Sequence, residues 1–250
     1  MKTSGNTILI SGGTAGIGLE MAKLLSKDNK VIITGRDESR LRKALAILPG
    51  VTGIQSDISD NNQADELAER LKSEFPKLNI VINNAGLAFL HDLSVPGTAY
   101  QFAKDIMVTN YLSIVRFNDL LLPLLTKQHE AAIVNVSSIV AFAGSTNLST
   151  YSASKAALHS YTQLLRLSLK DTSVKVFELM PPLVNTEFSK EIGGERGIAP
   201  ETVAGHLLEA FASDTYEIRS GDTEHVYRLY LSSPDKALEL MNQPQEQAQA

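Results

Sequence analysis

The sequence predicts a doubly wound α/β fold in which a mostly parallel sheet of seven strands is covered by helices on both sides. Three observations support this prediction. Short segments rich in β-branched apolar residues recur along the chain, stretches with helical spacing of apolar residues separate them, and a glycine-rich loop follows the first apolar segment directly. The strand segments are apolar at consecutive positions, as expected for strands that are buried on both faces of a parallel sheet.

Each element is placed by its pattern. Strands are predicted at 7–11, 31–34, 51–56, 79–83, 132–137 and 174–180, with a weaker seventh at 216–220. Helices are predicted at 16–28, 37–48, 60–75, 100–127 and 150–170. No linker or repeat interrupts residues 1–242, so we expect them to form one domain. Residues 243–250, QPQEQAQA, are polar and low in complexity, and are predicted to be a disordered tail.

The composition excludes several classes of function. The chain has 250 residues, a net charge of −5 and no cysteine. Without cysteine there are no disulfides, thiolate nucleophiles or cysteine-based metal sites, and the five histidines lack ligand spacing, so no metal site is predicted. The mild acidity argues against a nucleic-acid partner. With neither a signal peptide nor an apolar segment long enough to span a bilayer, the sequence predicts a cytoplasmic protein that does not insert into membranes.

A glycine-rich loop follows the first predicted strand. Gly12, Gly16 and Gly18 have the spacing GxxxGxG and lead directly into a helical stretch. A chain that leaves a strand here must turn tightly, approach a pyrophosphate with its backbone and pack a helix on the sheet, and each step is easiest without a Cβ. The N–H groups that open the helix would face the phosphates. The loop, including Thr14 and Ile17, is therefore a candidate dinucleotide site of a Rossmann fold; the alternative is a glycine-rich turn without a ligand.

Further motifs follow in a fixed order along the chain. Asn83-Asn84-Ala85-Gly86 ends the fourth predicted strand, Asn110 lies in the long predicted helix, and Ser138 follows the fifth strand. Tyr151 precedes Lys155 in YSASK, a spacing that chance alone often supplies. Taken together with GxxxGxG, and collinear from about residue 5 to residue 190, these motifs resemble those of the short-chain dehydrogenase/reductase family. The resemblance implies a single-domain Rossmann fold and an oxidoreductase.

The resemblance implies a catalytic set of Asn110, Ser138, Tyr151 and Lys155. A carbonyl that accepts a hydride at carbon needs a proton at oxygen, which Tyr151 would give. An ammonium one helical turn away, on Lys155, is expected to lower the tyrosine pKa toward the working range. Ser138 would hold the substrate oxygen, with Ser137 as the less favoured alternative because strand alternation points the two to opposite faces. Asn110 would anchor a water that relays protons to the lysine, through a distorted helix backbone.

The resemblance also assigns residues to the cofactor. Asp57 and Ile58 would contact the adenine, although SDISD also reads as a simple helix start. The remaining assigned residues are Asn84, Ala85, Gly86, Tyr151, Lys155, Pro181, Val184 and Thr186. One position departs from the family pattern PGxVxT, since Pro182 replaces its glycine. A proline there fixes φ and removes an N–H.

The end of the second strand bears on the choice of nicotinamide cofactor. Gly35 stands where NAD-dependent relatives usually carry an aspartate, and Arg36, which comes next, would attract a 2′-phosphate. Asp37 follows and is equally suited to cap the next helix. The other basic marker of NADP-dependent relatives is absent, because Ala15 occupies its position. The sequence therefore favours NADP(H), with NAD(H) as the alternative.

The substrate is not identified by the sequence. The expected substrate loop runs from Glu187 to about Ala199 and contains three glycines that suggest mobility. Candidate lining residues, each equally suited to the core, are Phe89, His91, Phe142, Leu148, Met180 and Phe188. The resemblance implies a small carbonyl or alcohol as substrate and a homodimer or homotetramer, whose interface in the family is often built by the helix that carries Tyr151 and the preceding long helix. A second hypothesis, favoured only by Pro182, is a non-catalytic dinucleotide-binding redox sensor or scaffold.

Overall fold

The structure, a computed structural model, describes residues 1–243 and confirms the predicted α/β fold. The seven strands are β1 Thr7–Ile10, β2 Lys30–Gly35, β3 Thr52–Gln55, β4 Ile80–Asn83, β5 Ala131–Val136, β6 Val174–Met180 and β7 Glu217–Arg219. They form one sheet in the order β3-β2-β1-β4-β5-β6-β7. Every neighbouring pair is parallel, so the sheet is parallel throughout rather than mostly so. Of the predicted tail, all but Gln243 lie outside the described residues.

Consecutive apolar residues in the strands serve two separate cores. In β1, Ile8 and Ile10 point into the core on one side of the sheet, while Leu9 points into the core on the other side. Because side chains alternate along a strand, a segment that is apolar at every position must be covered on both faces. Helices therefore pack on both sides of the sheet.

The helices complete the two outer layers. Their bounds are α1 Gly16–Leu25, α2 Glu38–Ala46, α3 Asn61–Glu74, α4 Ala99–Met107, α5 Ser113–Leu125, α6 Ser149–Ser168, α7 Pro200–Ser213, α8 Thr223–Ser232 and α9 Pro234–Met241. The last three were not predicted. For α7 the signal is present, since Val203, Leu207 and Phe211 recur every four residues after a proline at the first helical position. Within the described part of the chain, no helix is both long and apolar enough to cross a bilayer.

The predicted helix 100–127 is interrupted rather than continuous. Between α4 and α5 the segment Val108–Leu112 forms a π-helical turn, in which the N–H of Ser113 bonds to the carbonyl of Val108. A π turn inserts one residue into the helical ladder and frees a backbone group. Asn110 lies at its centre, so the distortion expected around this residue is present.

Buried amides connect the middle of the sheet to the helices that cover it. The Nδ2 of Asn83, at the end of β4, donates to the Oδ1 atoms of Asn118 and Asn135, both at 2.8 Å. Asn135 in turn donates to Thr162 at 2.9 Å. These bonds join β4, β5, α5 and α6 inside the molecule. Since buried amides are stable only when they are bonded, the network fixes the positions of these elements.

The candidate site lies at the carboxyl ends of the strands. The chain leaves β1 toward one side of the sheet and leaves its neighbour β4 toward the other, because α1, which follows β1, and α5, on the path that follows β4, lie on opposite faces. Ligands of doubly wound sheets bind at such a switch point, beyond the carboxyl ends of the strands. All the motifs singled out in the sequence lie at or near this edge.

The packing of the first loop generates a stability prediction. A Cβ on Gly13 would lie 2.6 Å from Cγ2 of Ile33 in β2, whereas a Cβ on Gly205 in α7 meets nothing within 4 Å. We expect Gly13→Ala to lower the free energy of unfolding by about 1–3 kcal/mol through overpacking. The matched Gly205→Ala variant should raise it by about 0.5–1 kcal/mol through helix propensity. Urea denaturation of both variants tests this, and equal effects would contradict it.

Candidate active site

A cleft of about 1220 Å³ opens at the carboxyl edge of the sheet. It extends from Arg36 after β2, past the glycine loop after β1, to the ends of β4, β5 and β6. At its far end lie Tyr151 and Lys155. The cleft is therefore long, with a glycine loop in its middle and titratable groups at one end.

The glycines of the loop allow two strand ends to approach closely. Gly12 has a φ of +65°, which disfavours any other residue, and a Cβ there would lie 2.9 Å from the Cα of Ala85. A Cβ on Gly18 would overlap with the carbonyl oxygen of Gly12 and the side-chain amide of Asn84. Gly18 thus allows α1 to pack against the loop and lies behind the cleft rather than on its surface.

Hydrogen bonds join this loop to the segment after β4. The hydroxyl of Ser11 accepts from the backbone N–H of Asn84 at 3.0 Å and of Ala85 at 3.1 Å. In the other direction, Nδ2 of Asn84 donates to the carbonyls of Ser11 and Gly12 at 3.0 and 3.1 Å. The segment Asn84-Ala85-Gly86 is held as a fixed wall of the cleft by these four bonds.

The middle of the cleft fits the pyrophosphate of a dinucleotide. Helix α1 begins beside the loop, and its N-cap residue, Ala15, makes no side-chain capping bond to the first N–H groups. Uncapped N–H groups and the positive end of the helix dipole favour an anion there. Gly16 has a φ of +53°, and Thr186 packs over it, with Cγ2 3.1 Å from where a Cβ would lie. A side chain at residue 16 would fill this cradle.

The outer end of the cleft lies beside β2. A Cβ on Gly35 would lie 2.6 Å from Cγ2 of Thr14, so this position has no room for a carboxylate unless Thr14 moves. Asp37 caps α2 by accepting from the N–H of Arg40 at 2.8 Å, and this bond lowers the pKa of its carboxyl. Arg36 lines the cleft with an exposed side chain. The helix-cap interpretation of Asp37 is therefore confirmed.

An ion pair that the sequence did not indicate lies across this end. Arg40 on α2 contacts Glu187 at 2.9 Å, and both side chains line the cleft while more than half exposed. Such an exposed pair adds little stability. It brings the loop after β6 next to α2, and no sequence spacing relates the two residues.

At the inner end, the tyrosine and the serine meet. The side chain of Tyr151 lies beside Ser138, the second residue after β5, and both line the cleft. Desolvation raises the pKa of Tyr151 to about 12, and the nearby Ser138 hydroxyl acts against this rise. The expectation that Lys155 lowers this pKa is thus wrong for the protein alone. Desolvation dominates, and Nζ of Lys155, 5.5 Å from the ring centre, is bonded elsewhere.

Lys155 lies one helical turn after Tyr151 and is almost completely buried. Its Nζ donates to the carbonyl oxygen of Val136 at 2.8 Å. Burial lowers the pKa of Lys155 to about 8, while the negative charge of Glu178 acts to raise it. Lys155 can therefore change its protonation state near neutral pH.

Asn110 supports the site from behind and does not line the cleft. It is fully buried in the π turn, where its Oδ1 accepts from the N–H of Leu87 at 2.8 Å. Its Nδ2 donates to the carbonyl of Leu87 at 2.9 Å and to the hydroxyl of Ser154 at 3.0 Å. The amide group is fully occupied in joining the segment after β4 to α6.

Most of the predicted site residues meet in this one cleft. The lining includes Gly12, Thr14, Gly16, Ile17, Arg36, Asp57, Ile58, Asn84, Ala85, Gly86, Ser138, Tyr151, Lys155, Pro181, Val184 and Thr186. Asp57 does not cap α3, because Asp60 accepts from the first-turn N–H of Gln63 instead. The carboxylate of Asp57 binds the backbone and hydroxyl of Ser59 at 2.9 and 2.6 Å.

The departure at Pro182 is accommodated by a glycine from another loop. Pro182 lines the cleft, and a Cβ on Gly221 would lie 3.2 Å from its Cγ. With a φ of +53°, Gly221 leaves room for the ring. The carbonyl of Pro181 still accepts from the N–H of Ile139 at 2.9 Å. The proline is thus fitted to its surroundings without opening the strand ends.

The candidate substrate-lining residues divide into two groups. Leu148 and Phe188 line the cleft, and the Phe188 ring lies 6.1 Å from that of Tyr151. The other four candidates pack elsewhere: Phe89 and His91 contact Phe102, Phe142 contacts His159 and Tyr227, and Met180 is fully buried. Their apolar character is explained by packing.

The loop glycines from residue 187 to 199 have conformational and packing roles. Gly193 has a φ of +78° and ends the 3-10 segment Glu187–Ile192. A Cβ on Gly197 would lie 2.6 Å from the backbone of Leu183. These contacts give Gly193 and Gly197 conformational and packing roles, and the mobility of the loop stays a prediction.

One wall of the cleft comes from the end of the described chain. Asn242 accepts from the N–H of Thr146 at 2.7 Å and donates to the carbonyl of Gly144 at 2.8 Å. Met241, Asn242 and Gln243 all line the cleft. The sequence had no signal for this contact, which joins residues almost a hundred positions apart.

Across residues 1–243, no group of three or more acidic or histidine side chains is arranged to hold a metal ion.

Comparison with known proteins gives consistent matches. A family model described as short chain dehydrogenase matches residues 6–197. An uncharacterized oxidoreductase of Bacillus subtilis, DltE, is 39% identical over 97% of this chain and 98% of its own length. An NADP-dependent 3-hydroxy acid dehydrogenase of Schizosaccharomyces pombe is 30% identical over 91% of this chain and 98% of its own. A Burkholderia phymatum short chain dehydrogenase solved with NAD shares the fold, with a TM-score of 0.86 and 20% identity over both full chains.

The bonds of Asn110 generate a prediction about stability. Asn110→Leu would leave the backbone N–H and carbonyl of Leu87 without their partner, whereas the hydroxyl of Ser154 would keep its bond to the carbonyl of Tyr151. We expect a loss of about 2–4 kcal/mol in the free energy of unfolding, since buried polar groups left unpaired cost about 1–3 kcal/mol each. The control Asn62→Leu changes an exposed asparagine of α3 and should stay within about 0.5 kcal/mol. Chemical denaturation measures both, and a small effect at residue 110 would contradict the prediction.

Proposed function

The chain belongs to the short chain dehydrogenase family, as its motifs predicted, and we propose that it interconverts a small carbonyl compound and an alcohol with NADP(H). The observation that carries this proposal is the placement of Tyr151 next to Ser138 and beside the buried Lys155. All three lie at the end of a cleft whose middle fits a pyrophosphate. When bound, the nicotinamide supplies or accepts the hydride.

The protein's own residues would donate the proton to the substrate oxygen and stabilise the charge that remains on the donor. With a pKa raised to about 12, Tyr151 is protonated at neutral pH and is ready to donate to the oxygen of a carbonyl. Ser138, which lies beside the tyrosine in the cleft, is placed to hold that oxygen. A Lys155 ammonium would stabilise the phenolate that remains after the proton has left. These protonation states favour the reductive direction.

Asn110 would take part through its backbone rather than its amide. Because the amide bonds to Leu87 and Ser154, a proton-relaying water would have to use a carbonyl that the π turn frees. The side chain then has a separate task. It fixes α6, and with it Tyr151 and Lys155, relative to the wall after β4.

The proposed preference for NADP(H) rests on the residues beside β2. Gly35 has no room for the carboxylate that would bind a ribose diol, and the Asp37 carboxylate is occupied as a helix cap. Arg36 remains as a cation on the cleft surface that suits a 2′-phosphate. The NADP dependence of the Schizosaccharomyces pombe relative is consistent with this choice.

We also propose that the protein works in the cytoplasm as a homodimer or homotetramer. The support for assembly is an apolar surface on the helices near the site, where Leu112, Leu164 and Leu167 are each more than half exposed. Leu164 and Leu167 lie on α6, the helix that carries Tyr151. Apolar side chains exposed together on one element favour association with a second copy.

Replacement of the tyrosine tests the proposed reaction. We expect Tyr151→Phe to reduce NADPH-dependent turnover of ketones and diketones by about 100-fold or more, because it removes the proton donor. NADPH binding, followed by fluorescence titration, should be retained. The control Tyr100→Phe alters a tyrosine that is 82% exposed, and should leave turnover unchanged. If wild-type protein binds NADPH but reduces no carbonyl, the alternative function of a redox sensor or scaffold is supported instead.

Replacement of the arginine tests the cofactor preference. Arg36→Ala should weaken NADPH binding by about 10- to 100-fold, the range expected for a charge-assisted hydrogen bond, and leave NADH binding nearly unchanged. Arg42→Ala, on the exposed side of α2 with Glu38 as its partner, is the matched control and should affect neither. Equal NADH and NADPH affinities in the wild type would overturn the preference.

A further inference from the structure

A histidine follows the tyrosine and the lysine on the same face of α6. Tyr151, Lys155 and His159 are spaced by four residues, which places them one turn apart along one side of the helix. Nδ1 of His159 lies 3.0 and 2.9 Å from the two carboxylate oxygens of Glu178. The proposed reaction uses neither His159 nor Glu178.

Glu178 is a carboxylate without solvent exposure in the middle of β6. The hydroxyl of Ser137, at the end of β5, donates to it, and His159 reaches it from α6. A carboxylate is stable in such a place only with bonded and oppositely charged partners. Its partners therefore come from both elements that carry the candidate catalytic groups.

Three consecutive residues at the end of β5, Val136, Ser137 and Ser138, each lie against one of the side chains Lys155, Glu178 and Tyr151. The carbonyl of Val136 accepts from Lys155, the hydroxyl of Ser137 donates to Glu178, and the side chain of Ser138 lies beside Tyr151. Neighbouring side chains of an extended segment point to opposite sides. A bond that holds Ser137 toward Glu178 thus also holds Ser138 toward Tyr151.

We propose that Glu178 is a positioning residue of this site: its buried negative charge keeps Lys155 in the ammonium form, and its bond to Ser137 keeps Ser138 directed at Tyr151. His159 fixes the carboxylate for both tasks. The electrostatic part agrees with the two opposing influences on Lys155, since burial lowers its pKa to about 8 and the charge of Glu178 acts to raise it. The consequences for turnover rest on the proposed function.

Other charged groups near β6 have their own partners. Arg166 on α6 bonds to Glu217 on β7 and to the carbonyl of Val176. Arg219 on β7 pairs with Glu217 and Glu224, and His206 on α7 contacts Ser220. The titratable groups that face Glu178 are thus His159 and Lys155, and those that face Lys155 are Glu178 and Tyr151.

The test compares Glu178→Gln with Glu217→Gln, the same change on the neighbouring strand at the paired position. Loss of the charge at residue 178 should lower the pH at which Lys155 loses its proton. A midpoint at pH 7 instead of 8 would reduce the protonated fraction at pH 8 about fivefold. The alkaline limb of kcat/KM for carbonyl reduction should therefore move to lower pH in Glu178→Gln but not in Glu217→Gln. Identical limbs in wild type and Glu178→Gln would overturn the proposal.

A second measurement does not depend on turnover. In protein with 13C-labelled lysine, the Lys155 resonance is identified by its absence in Lys155→Arg, and its titration is followed directly. A lower midpoint in Glu178→Gln supports the proposal even if no carbonyl is reduced, which would overturn only the proposed function. An unchanged midpoint overturns the role of Glu178 even if carbonyls are reduced.

Variants of the histidine provide an independent check. His159→Phe removes the donor to Glu178 and should move the lysine midpoint in the same direction as Glu178→Gln. His159→Asn places an amide near the position of Nδ1 and should restore the wild-type midpoint. A purely structural role would give similar midpoints in both histidine variants, contrary to the proposal. These two variants also decide the question if Glu178→Gln fails to fold.

Discussion

Lys155 places a primary amine where water does not reach, with its Nζ bonded to the carbonyl of Val136. An ammonium in such a place is unstable unless acceptors and negative charge surround it. The carbonyl of Val136, at the end of β5, accepts a hydrogen bond from the lysine, and Glu178 contributes a negative charge. Asn110 binds Ser154 and so holds α6, the helix that carries the lysine. The contacts around this nitrogen and around Glu178 also join β5, β6 and α6 at the candidate site.

Burial shifts the pKa values of Tyr151 and Lys155, which are neighbours on one face of α6, in opposite directions. Desolvation disfavours whichever form is charged, so it lowers the pKa of Lys155 to about 8 and raises that of Tyr151 to about 12. A spacing argument anticipates only the attraction between ammonium and phenolate. In the protein alone, loss of solvent outweighs that attraction. The tyrosine is thereby kept in its protonated form, which is the state that the proposed reduction requires.

Sequence predicts the parts of this structure that depend on local pattern. Apolar patterning along the sequence predicts all seven strands. The motifs that follow these strands are then expected in one place, because the strand ends of a parallel sheet meet at one edge. Contacts between distant segments were not predictable. Glu178 reads as an interruption of an apolar strand, and only the fold reveals His159 and Ser137 as its partners. The wall formed by Asn242 and the ion pair of Arg40 with Glu187 depend on chain paths for which spacing has no signal.

The proposed preference for NADP(H) rests on lack of space beside β2 as much as on charge. Thr14 occupies the volume beside Gly35 that a side chain would need, so the glycine loop and the end of β2 limit each other. One position later Arg36 is free to point along the cleft, and two positions later the carboxylate of Asp37 is bonded to the start of α2. A carboxylate two residues earlier, at the position of Gly35, would meet a ribose, whereas the carboxylate of Asp37 caps a helix. In the proposed complex, the register between the strand end and the helix start therefore determines which charge faces the cofactor.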